Sequence, residues 1–221
     1  MGESMPRKPK GSSTAANEAF VKKQFAWAQT EPIAWAGYAD SMMRSFEIIA
    51  AQAESDELAD AQQWDSYSRW KQANDGSPQP PLKGIISVVP NAMMLAGMAV
   101  ELLLKGIAVQ NPAIVASIGA GTTAIPGDLW THRLRGIAAL AGVTLDANED
   151  DLCKGLEVFL VWAGRYPVPK NHEAMMPGTA PGGGQASLSI RYGSDYSTIR
   201  ALTTRLRALL PSADYDHVIV M

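Results

Sequence analysis

The sequence of 221 residues predicts an all-α protein, an up-and-down helical bundle with an N-terminal helical extension. Residues 90–110 carry apolar side chains around nearly the whole circumference of a helix, which is the pattern of a helix buried on several sides. Several other segments repeat apolar residues at spacings of three and four, which is typical of amphipathic helices. Alternation of apolar and polar residues is brief, and it predicts at most a short strand or an extended arm over residues 187–192.

The N-terminal third of the chain is predicted to be helical after a disordered basic tail over residues 1–14. A first helix covers residues 14–29. Thr30 is a candidate N-cap of the second helix, and Pro32 suits the first turn of that helix, so the two residues are predicted to separate the helices. The second helix, over residues 31–54, has an apolar stripe that we expect to face inward: Trp35, Tyr38, Met42, Phe46, Ile49 and Ala53.

Asp56 is predicted to cap a third helix that reaches residue 73. We expect its regularly spaced apolar residues to lie in the core: Leu58, Ala61, Trp64, Tyr67 and Trp70. The Gly- and Pro-containing stretch 74–81 then predicts a loop. This loop divides the N-terminal helices, residues 15–80, from a helical core over residues 85–210.

The core begins with the central helix, which is expected from Asn91 to about residue 110, where Pro112 ends it. Another helical turn follows over residues 114–118. Asp128 is predicted to cap a helix that Gly142 ends, and Asn148 to cap a helix that continues to about residue 163. A last helix covers residues 195–210, and an apolar C-terminal tail covers residues 211–221.

Composition excludes several classes of function. The net charge of −3 gives no overall attraction to nucleic acid or to an anionic membrane surface. One cysteine, Cys153, allows no intrachain disulfide and fits a reducing cytoplasm, and its place in a predicted helix indicates a small buried side chain. The three histidines are scattered, so we predict no metal site and no cofactor. Charges within residues 90–110 argue against a membrane span.

Those interrupting charges are Glu101 and Lys105, which lie four residues apart and therefore on one face of the central helix. Their neighbours along the chain are apolar, so Glu101 is expected to be enclosed and to need hydrogen-bond donors. His132 and Arg133, from the next predicted helix, are the candidate donors. A structural polar clamp is favoured over a catalytic acid.

A different pair of residues could carry chemistry. Arg165 and His172 are separated by six residues, after a predicted helix and within a Pro-containing segment. An arginine can hold a phosphate and stabilise the charge that develops on it. A histidine can transfer the proton of a ribose 2′-hydroxyl group or of the leaving oxygen. Together they would suffice for RNA cleavage without a metal.

Three segments together resemble bacterial HEPN-like proteins: A-M-M-L-A-G-M-A-V-E-L-L-L-K (92–105), T-H-R-L-R-G-I-A (131–138) and W-A-G-R-Y-P-V-P (162–169). The resemblance covers about residues 85–210. It implies a small all-α bundle, commonly a homodimer, from a toxin–antitoxin, defence or RNA-processing context. Many members carry an arginine and a histidine separated by four to six residues as a ribonuclease site across the dimer, and Arg165 and His172 fit that spacing.

The sequence also departs from that pattern. Tyr166 follows the arginine where the family usually has a polar residue, and Pro167 and Pro169 lie inside the motif. Two functions therefore stay open. One is a non-catalytic module that binds RNA or a protein partner, such as an antitoxin or a nucleotidyltransferase. The other is a metal-independent endoribonuclease with catalytic Arg165 and His172, around which further residues would support the site: Glu101, Lys105, His132 and Tyr166.

Overall fold

The computed structural model describes residues 12–118, 126–165 and 194–212, and within these ranges the chain is helical with no strand. The predicted all-α class is confirmed. The elements, in chain order, are α1 (Ser12–Thr30), α2 (Pro32–Ala73), α3 (Val89–Ala108), α4 (Pro112–Ile118), α5 (Leu134–Leu140), α6 (Ala147–Val158), a π-helical turn (Phe159–Ala163) and α7 (Ser194–Arg207).

Helix α3 is the centre of the bundle, as its apolar circumference predicts. It packs against α2, α5, α6, α7 and the π-helical turn. Its length and hydropathy would suit a membrane span, but 72% of the relevant stretch is buried inside the bundle. The apolar surface of α3 is therefore accounted for by its protein neighbours. Gly97 allows this close packing, because a Cβ atom there would lie 2.9 Å from Cγ of Leu160.

Helix α2 buries mainly small residues against the core, and of the predicted apolar stripe only Phe46 and Ala53 are fully buried. Its buried positions are Ala36, Ala39, Phe46, Ala50 and Ala53. Tyr38 is 52% exposed, so its place in the expected inward stripe is wrong. Alanines let two helix backbones come close together. The first half of α2 therefore shares one core with the helices of the 85–210 segment.

Helix α2 does not end near Asp56, and the predicted third helix is its continuation. No Pro or Gly interrupts residues 38–73, and Asp56 accepts a hydrogen bond from Gln52 on the same helix instead of capping a new one. The 42 residues give a helix roughly 63 Å long, whose outer half extends beyond the bundle. Leu58 and Trp64 are 66% and 53% exposed there, so their predicted burial is wrong.

The aromatic side chains of this outer half pack on one another. The rings of Trp64 and Tyr67 meet edge to face with centroids 5.8 Å apart, and Tyr67 lies 5.6 Å from Trp70. The chain after α2 returns along the same helix, since Trp70 donates to the carbonyl of Ser77 and Gln63 accepts from the amide of Lys83. The predicted loop thus partly covers the outer half of α2.

Several helix starts differ from the prediction: Glu31 and not Thr30 precedes α2, α3 begins at Val89, and the starts of α5 and α6 also differ. Asp128 lies in a turn in which the carbonyl of Pro126 accepts hydrogen bonds from the amides of Leu129 and Trp130. Helix α5 begins only at Leu134. Asp146, rather than Asn148, caps α6, and it forms a capping box with Glu149. The differences at α5 and α6 follow from hydrogen bonds to nearby groups that a single candidate cap in the sequence does not specify.

Helix α7 is fastened to the bundle by arginines on its partly exposed side. Arg200 pairs with Glu47 of α2 at 2.8 Å, and Arg205 pairs with Glu149 of α6 at 2.6 Å. Buried residues on the opposite side join the core: Tyr196, Ile199, Leu202 and Leu206. The predictions for the tail up to residue 11, the strand over 187–192 and the C-terminal residues 213–221 lie outside the described residues.

Candidate functional site

A buried ion pair lies in the middle of α3. The ammonium of Lys105 is 2.5 Å from Oε1 of Glu101, and these residues are only 5% and 8% exposed. The helix places them one turn apart on the same face, so the pair forms without distortion. A buried charge is stable only when a partner and hydrogen bonds replace the lost water. The expectation that Glu101 is enclosed and paired is met.

His132 completes this cluster and brings it to the surface. Its Nδ1 atom lies 2.8 Å from Oε2 of Glu101, and its side chain is 47% exposed. Because a carboxylate accepts hydrogen bonds, Nδ1 is the donor. Lys105 also lies 5.9 Å from the ring centroid of Trp35, within the range of a cation–π contact. Of the two predicted donors, His132 and not Arg133 binds Glu101.

The chemistry available to this cluster is limited by its own pairing. A carboxylate that holds one nitrogen of a histidine fixes the orientation of the ring, which is how proton-transfer histidines are positioned. Here, however, Lys105 and His132 occupy both oxygens of Glu101, and the ion pair is enclosed. The contacts among Glu101, Lys105 and His132 therefore mainly stabilise the charges that the bundle encloses.

A second buried carboxylate was not predicted. Glu157 of α6 is 1% exposed, and its Oε1 accepts the backbone amide of Arg135 in the first turn of α5. The guanidinium Nε of Arg135 lies 3.7 Å from the same oxygen. Burial raises the pKa of Glu157, and the hydrogen bond and the charge of Arg135 oppose that increase. Glu157 thereby provides the start of α5 with a hydrogen-bond acceptor that Asp128 does not supply.

Cys153 lies beside this carboxylate and is fully buried. Burial, reinforced by the nearby charge of Glu157, raises the pKa of its thiol to about 12. The nucleophilic form of cysteine is the thiolate, so Cys153 is inert near neutral pH. The interpretation of Cys153 as a small buried side chain is confirmed.

Arg165 follows the π-helical turn and is exposed. Gly164, just before it, lies tightly against α3, since a Cβ atom there would be 2.6 Å from Cβ of Met94. No hydrogen bond or ion pair joins Arg165 to Glu101, Lys105 or His132 in the described part of the chain. His172 and Tyr166 lie outside the described residues, so their proposed roles remain predictions.

No protein-family model, curated protein or solved structure matches this chain. Among residues 12–118, 126–165 and 194–212, no group of three or more His, Cys, Asp or Glu side chains is arranged to hold a metal ion. The similarity to HEPN-like proteins therefore stays a prediction from the sequence.

Of the three buried carboxylates among the described residues, Glu101, Glu157 and Asp195, sequence reasoning found only Glu101. Glu101 stands out because it interrupts a long apolar run. Glu157 also interrupts apolar residues, but its apolar run is shorter, with Leu156 before it and Val158 after it. Gln29, which is only 3% exposed, was also missed. A glutamine near a helix end is ordinary on a surface, so the sequence contains no signal for its burial.

Removing one member of the buried ion pair should destabilise the fold. Glu101→Leu leaves the ammonium of Lys105 buried without its carboxylate, and we expect the free energy of unfolding to fall by about 3–5 kcal/mol. The double variant Glu101→Leu/Lys105→Met should recover most of this loss. Urea unfolding measures both effects.

The exposed pair Glu18–Lys22 has the same spacing and serves as the control, because Glu18→Leu removes a solvated partner. Glu18→Leu should change stability little. A Glu101→Leu protein as stable as the parent would contradict the enclosed pair.

The raised pKa of Glu157 predicts how stability depends on pH. The folded state holds this proton more tightly than the unfolded state does, so the contribution of Glu157 to stability is present at low pH and is lost as pH rises. Glu157→Gln removes the titrating group and keeps an acceptor for the amide of Arg135. The stability of the variant relative to the parent should rise with pH above about 4.3, the unfolded value, and then level off.

Urea unfolding between about pH 4 and pH 8 tests this expectation. Glu57→Gln is the matched control, because Glu57 is exposed on the outer half of α2. Parallel pH profiles for the parent and Glu157→Gln would show that Glu157 titrates normally.

Proposed function

We propose that this protein is a non-catalytic, HEPN-like helical module that associates with a protein partner through the outward face of α1, and that its first partner is a second copy of itself. The observation that carries the proposal is the exposure of large aromatic side chains on that helix. Phe20 and Trp27 are 50% and 45% exposed.

Helix α1 has two apolar faces. Phe25, Ala28 and Gln29 point toward the bundle, where they line a cavity with residues of α2 and α3. Phe20 and Trp27 are seven residues apart and therefore share a face, about half a turn away from Phe25 and Gln29. A helix with apolar side chains on two opposite faces needs a packing partner on each face to bury them all. The bundle supplies a partner for one face only.

The available apolar area suits the centre of a dimer interface. An aromatic side chain buries about 150–250 Å² when it is fully enclosed. Phe20 and Trp27, already half covered, would together contribute roughly 150–250 Å² from each copy. A stable interface needs about 800 Å² from each partner, so the remaining area would come from the polar residues of α1 around this centre.

The charge of the described surface supports a protein partner rather than RNA. On α1, Lys22 is paired with Glu18 at 2.7 Å, which leaves Lys23 as the one other exposed cation among the described residues of that helix. The exposed outer half of α2 carries more carboxylates than basic groups: Glu54, Asp56, Glu57, Asp60 and Asp65 against Arg69 and Lys71. RNA binding depends on cationic groups that neutralise phosphates. The proposal extends to the antitoxin or nucleotidyltransferase partners that the resemblance implies.

Polar substitution of the outward face should separate the copies without unfolding them. Phe20→Gln/Trp27→Gln removes the apolar centre of the interface, and we expect the parent to sediment as a dimer and the double variant as a monomer. Trp130→Gln is the matched control, because Trp130 is 72% exposed outside α1. Its sedimentation should match that of the parent.

Sedimentation velocity at several protein concentrations provides the measurement, and circular dichroism verifies the fold. A parent that remains monomeric at about 100 μM, or a double variant that remains dimeric, would contradict the proposed interface.

The second candidate function is a metal-independent endoribonuclease. Arg165 supports it, because this cation is exposed two residues after the end of a π-helical turn, and such turns are frequent at functional sites. In this alternative, Arg165 would bind the scissile phosphate and His172 would transfer the proton.

An RNA-cleavage assay separates the two functions. Our proposal predicts that the parent leaves single-stranded and structured RNA intact. The ribonuclease alternative predicts cleavage that Arg165→Ala and His172→Ala each reduce by a factor of about 10² or more. Arg44→Ala controls for the loss of an exposed arginine elsewhere. Cleavage with that pattern would overturn the non-catalytic assignment.

A further inference from the structure

The junction between α1 and α2 is a tight elbow, and a cavity of about 140 Å³ lies inside it. The indole Nε1 of Trp35 donates a hydrogen bond to the carbonyl of Gln29 at 3.3 Å, which holds the two helices together across the junction. The cavity is lined by residues of α1, α2 and α3, among them Phe25, Trp35, Tyr38 and Leu102. We call it the elbow cavity.

The wall of the elbow cavity is almost entirely apolar. Among the described residues, no charged side chain lines it, and the amide of Gln29 has almost no accessible surface. Phe25 and Tyr38 are 36% and 52% exposed, so the cavity opens to the surface beside them. Covering apolar surface is favourable, and cavities of about 150 Å³ accept a molecule the size of benzene. The elbow cavity therefore has room for a branched aliphatic side chain.

Helix α7 carries the chain toward the same end of the bundle. Its Arg200 pairs with Glu47 of α2, and its Arg207 pairs with Asp40, which lies nearer the start of α2. The two helices therefore run antiparallel, and the end of α7 approaches the elbow.

The last described residues lie beside the wall of the elbow cavity. A Cβ atom at Gly106 of α3 would lie 3.1 Å from Cβ of Trp35 and 3.2 Å from Cδ2 of Leu210. Trp35 and Leu210 thus pack against the same point of α3, and Leu210 is only 6% exposed. The chain passes Ser212 two residues after this contact, so the residues that follow start close to the cavity.

Those residues have the composition that the elbow cavity requires. Residues 213–221 read A-D-Y-D-H-V-I-V-M, so four consecutive apolar residues, 218–221, follow a more polar stretch. An extended chain spans about 3.3–3.6 Å per residue, which lets the apolar run reach roughly 20–30 Å from Ser212. Asp214 and Asp216 would lose their hydration in an apolar cavity without gaining a partner, so only the apolar run suits it.

We propose that residues 218–221 dock in the elbow cavity of their own chain. The run inserts a branched aliphatic side chain among Phe25, Trp35 and Tyr38, and it covers the apolar surface that the elbow leaves open. Docking fastens the end of α1 to α2 from the inward side of α1. It leaves the outward face with Phe20 and Trp27 free, so the dimer interface and the docked segment are tested independently.

Disulfide trapping in the full chain tests the docking. The variant Tyr38→Cys/His217→Cys places one thiol at the mouth of the elbow cavity and one directly before the apolar run. Cys153 is fully buried and does not compete. Arg44→Cys/His217→Cys is the matched control. Arg44 is exposed on α2 and lies one turn after Asp40, which contacts the end of α7, so an undocked segment would reach it as well.

Oxidised glutathione starts the reaction, and mass spectrometry of the monomeric product gives the rate of disulfide formation. Docking raises the effective concentration of one thiol at the other, so we expect the Tyr38→Cys pair to close at least about tenfold faster than the Arg44→Cys pair. Equal rates would indicate an undocked segment, and disulfide-linked dimers would assign the cavity to a second copy. Either result would overturn the proposal.

Nuclear Overhauser effects provide a second test that leaves the cavity unchanged. With ¹³C-labelled methyl groups in the full chain, we expect contacts between the methyl groups of residues 218–220 and the rings of Phe25, Trp35 or Tyr38, because docked groups approach within about 4.5 Å. Ile219→Asp should abolish them, since a charge does not enter an apolar cavity. Ala213→Asp adds the same charge outside the apolar run and should retain them. Their absence from the parent would contradict docking.

Discussion

The burial of α3 is the constraint on which the rest of the structure depends. A helix that is apolar around its circumference must be covered on several sides, and α2, α5, α6, α7 and the π-helical turn supply that cover. The two buried charges of this helix then need to be paired, because each has lost its hydration. Lys105 neutralises Glu101, and Glu101 also holds His132, which links α3 to the chain just before α5. The same polar contacts that make the core possible leave little of this cluster free for chemistry.

The N-terminal helix follows a different rule. Helix α1 contacts the bundle mainly near its end, at the elbow, and most of its described side chains are exposed. Its outward aromatic face, centred on Phe20 and Trp27, is free to meet another protein. Its inward face lines a small apolar cavity together with residues of α2 and α3. The proposed interface therefore lies on α1, whereas the central helix mainly provides the framework that holds it.

The fold class and the central helix could be predicted because both depend on periodic apolar residues that lie close together along the chain. Glu101 could be predicted to be enclosed because a charge within an apolar run needs a partner. The continuous α2 was missed because Asp56 is an acceptable cap and an equally acceptable mid-helix residue. Its exposed outer half was missed because Trp64 looks like a core residue until the size of the bundle is known.

The start of α5 and the burial of Gln29 depend on tertiary contacts. Glu157, from the following helix, accepts the amide of Arg135 and favours a start that no local cap specifies. Gln29 is buried because the elbow folds α1 back toward Trp35. Such contacts join residues on different elements, so local patterns do not determine them. His172 remains a candidate on spacing alone.

Hydrogen exchange followed by mass spectrometry, at protein concentrations below and above the dissociation constant of the dimer, tests the central claim most directly. That claim is that α3 forms the stable core while α1 is a docking helix that a second copy covers. We predict that peptides from α3 exchange slowly at every concentration and that peptides from α1 become protected only at high concentration. Exchange in α1 that does not depend on concentration, or exchange in α3 as fast as in α1, would contradict it.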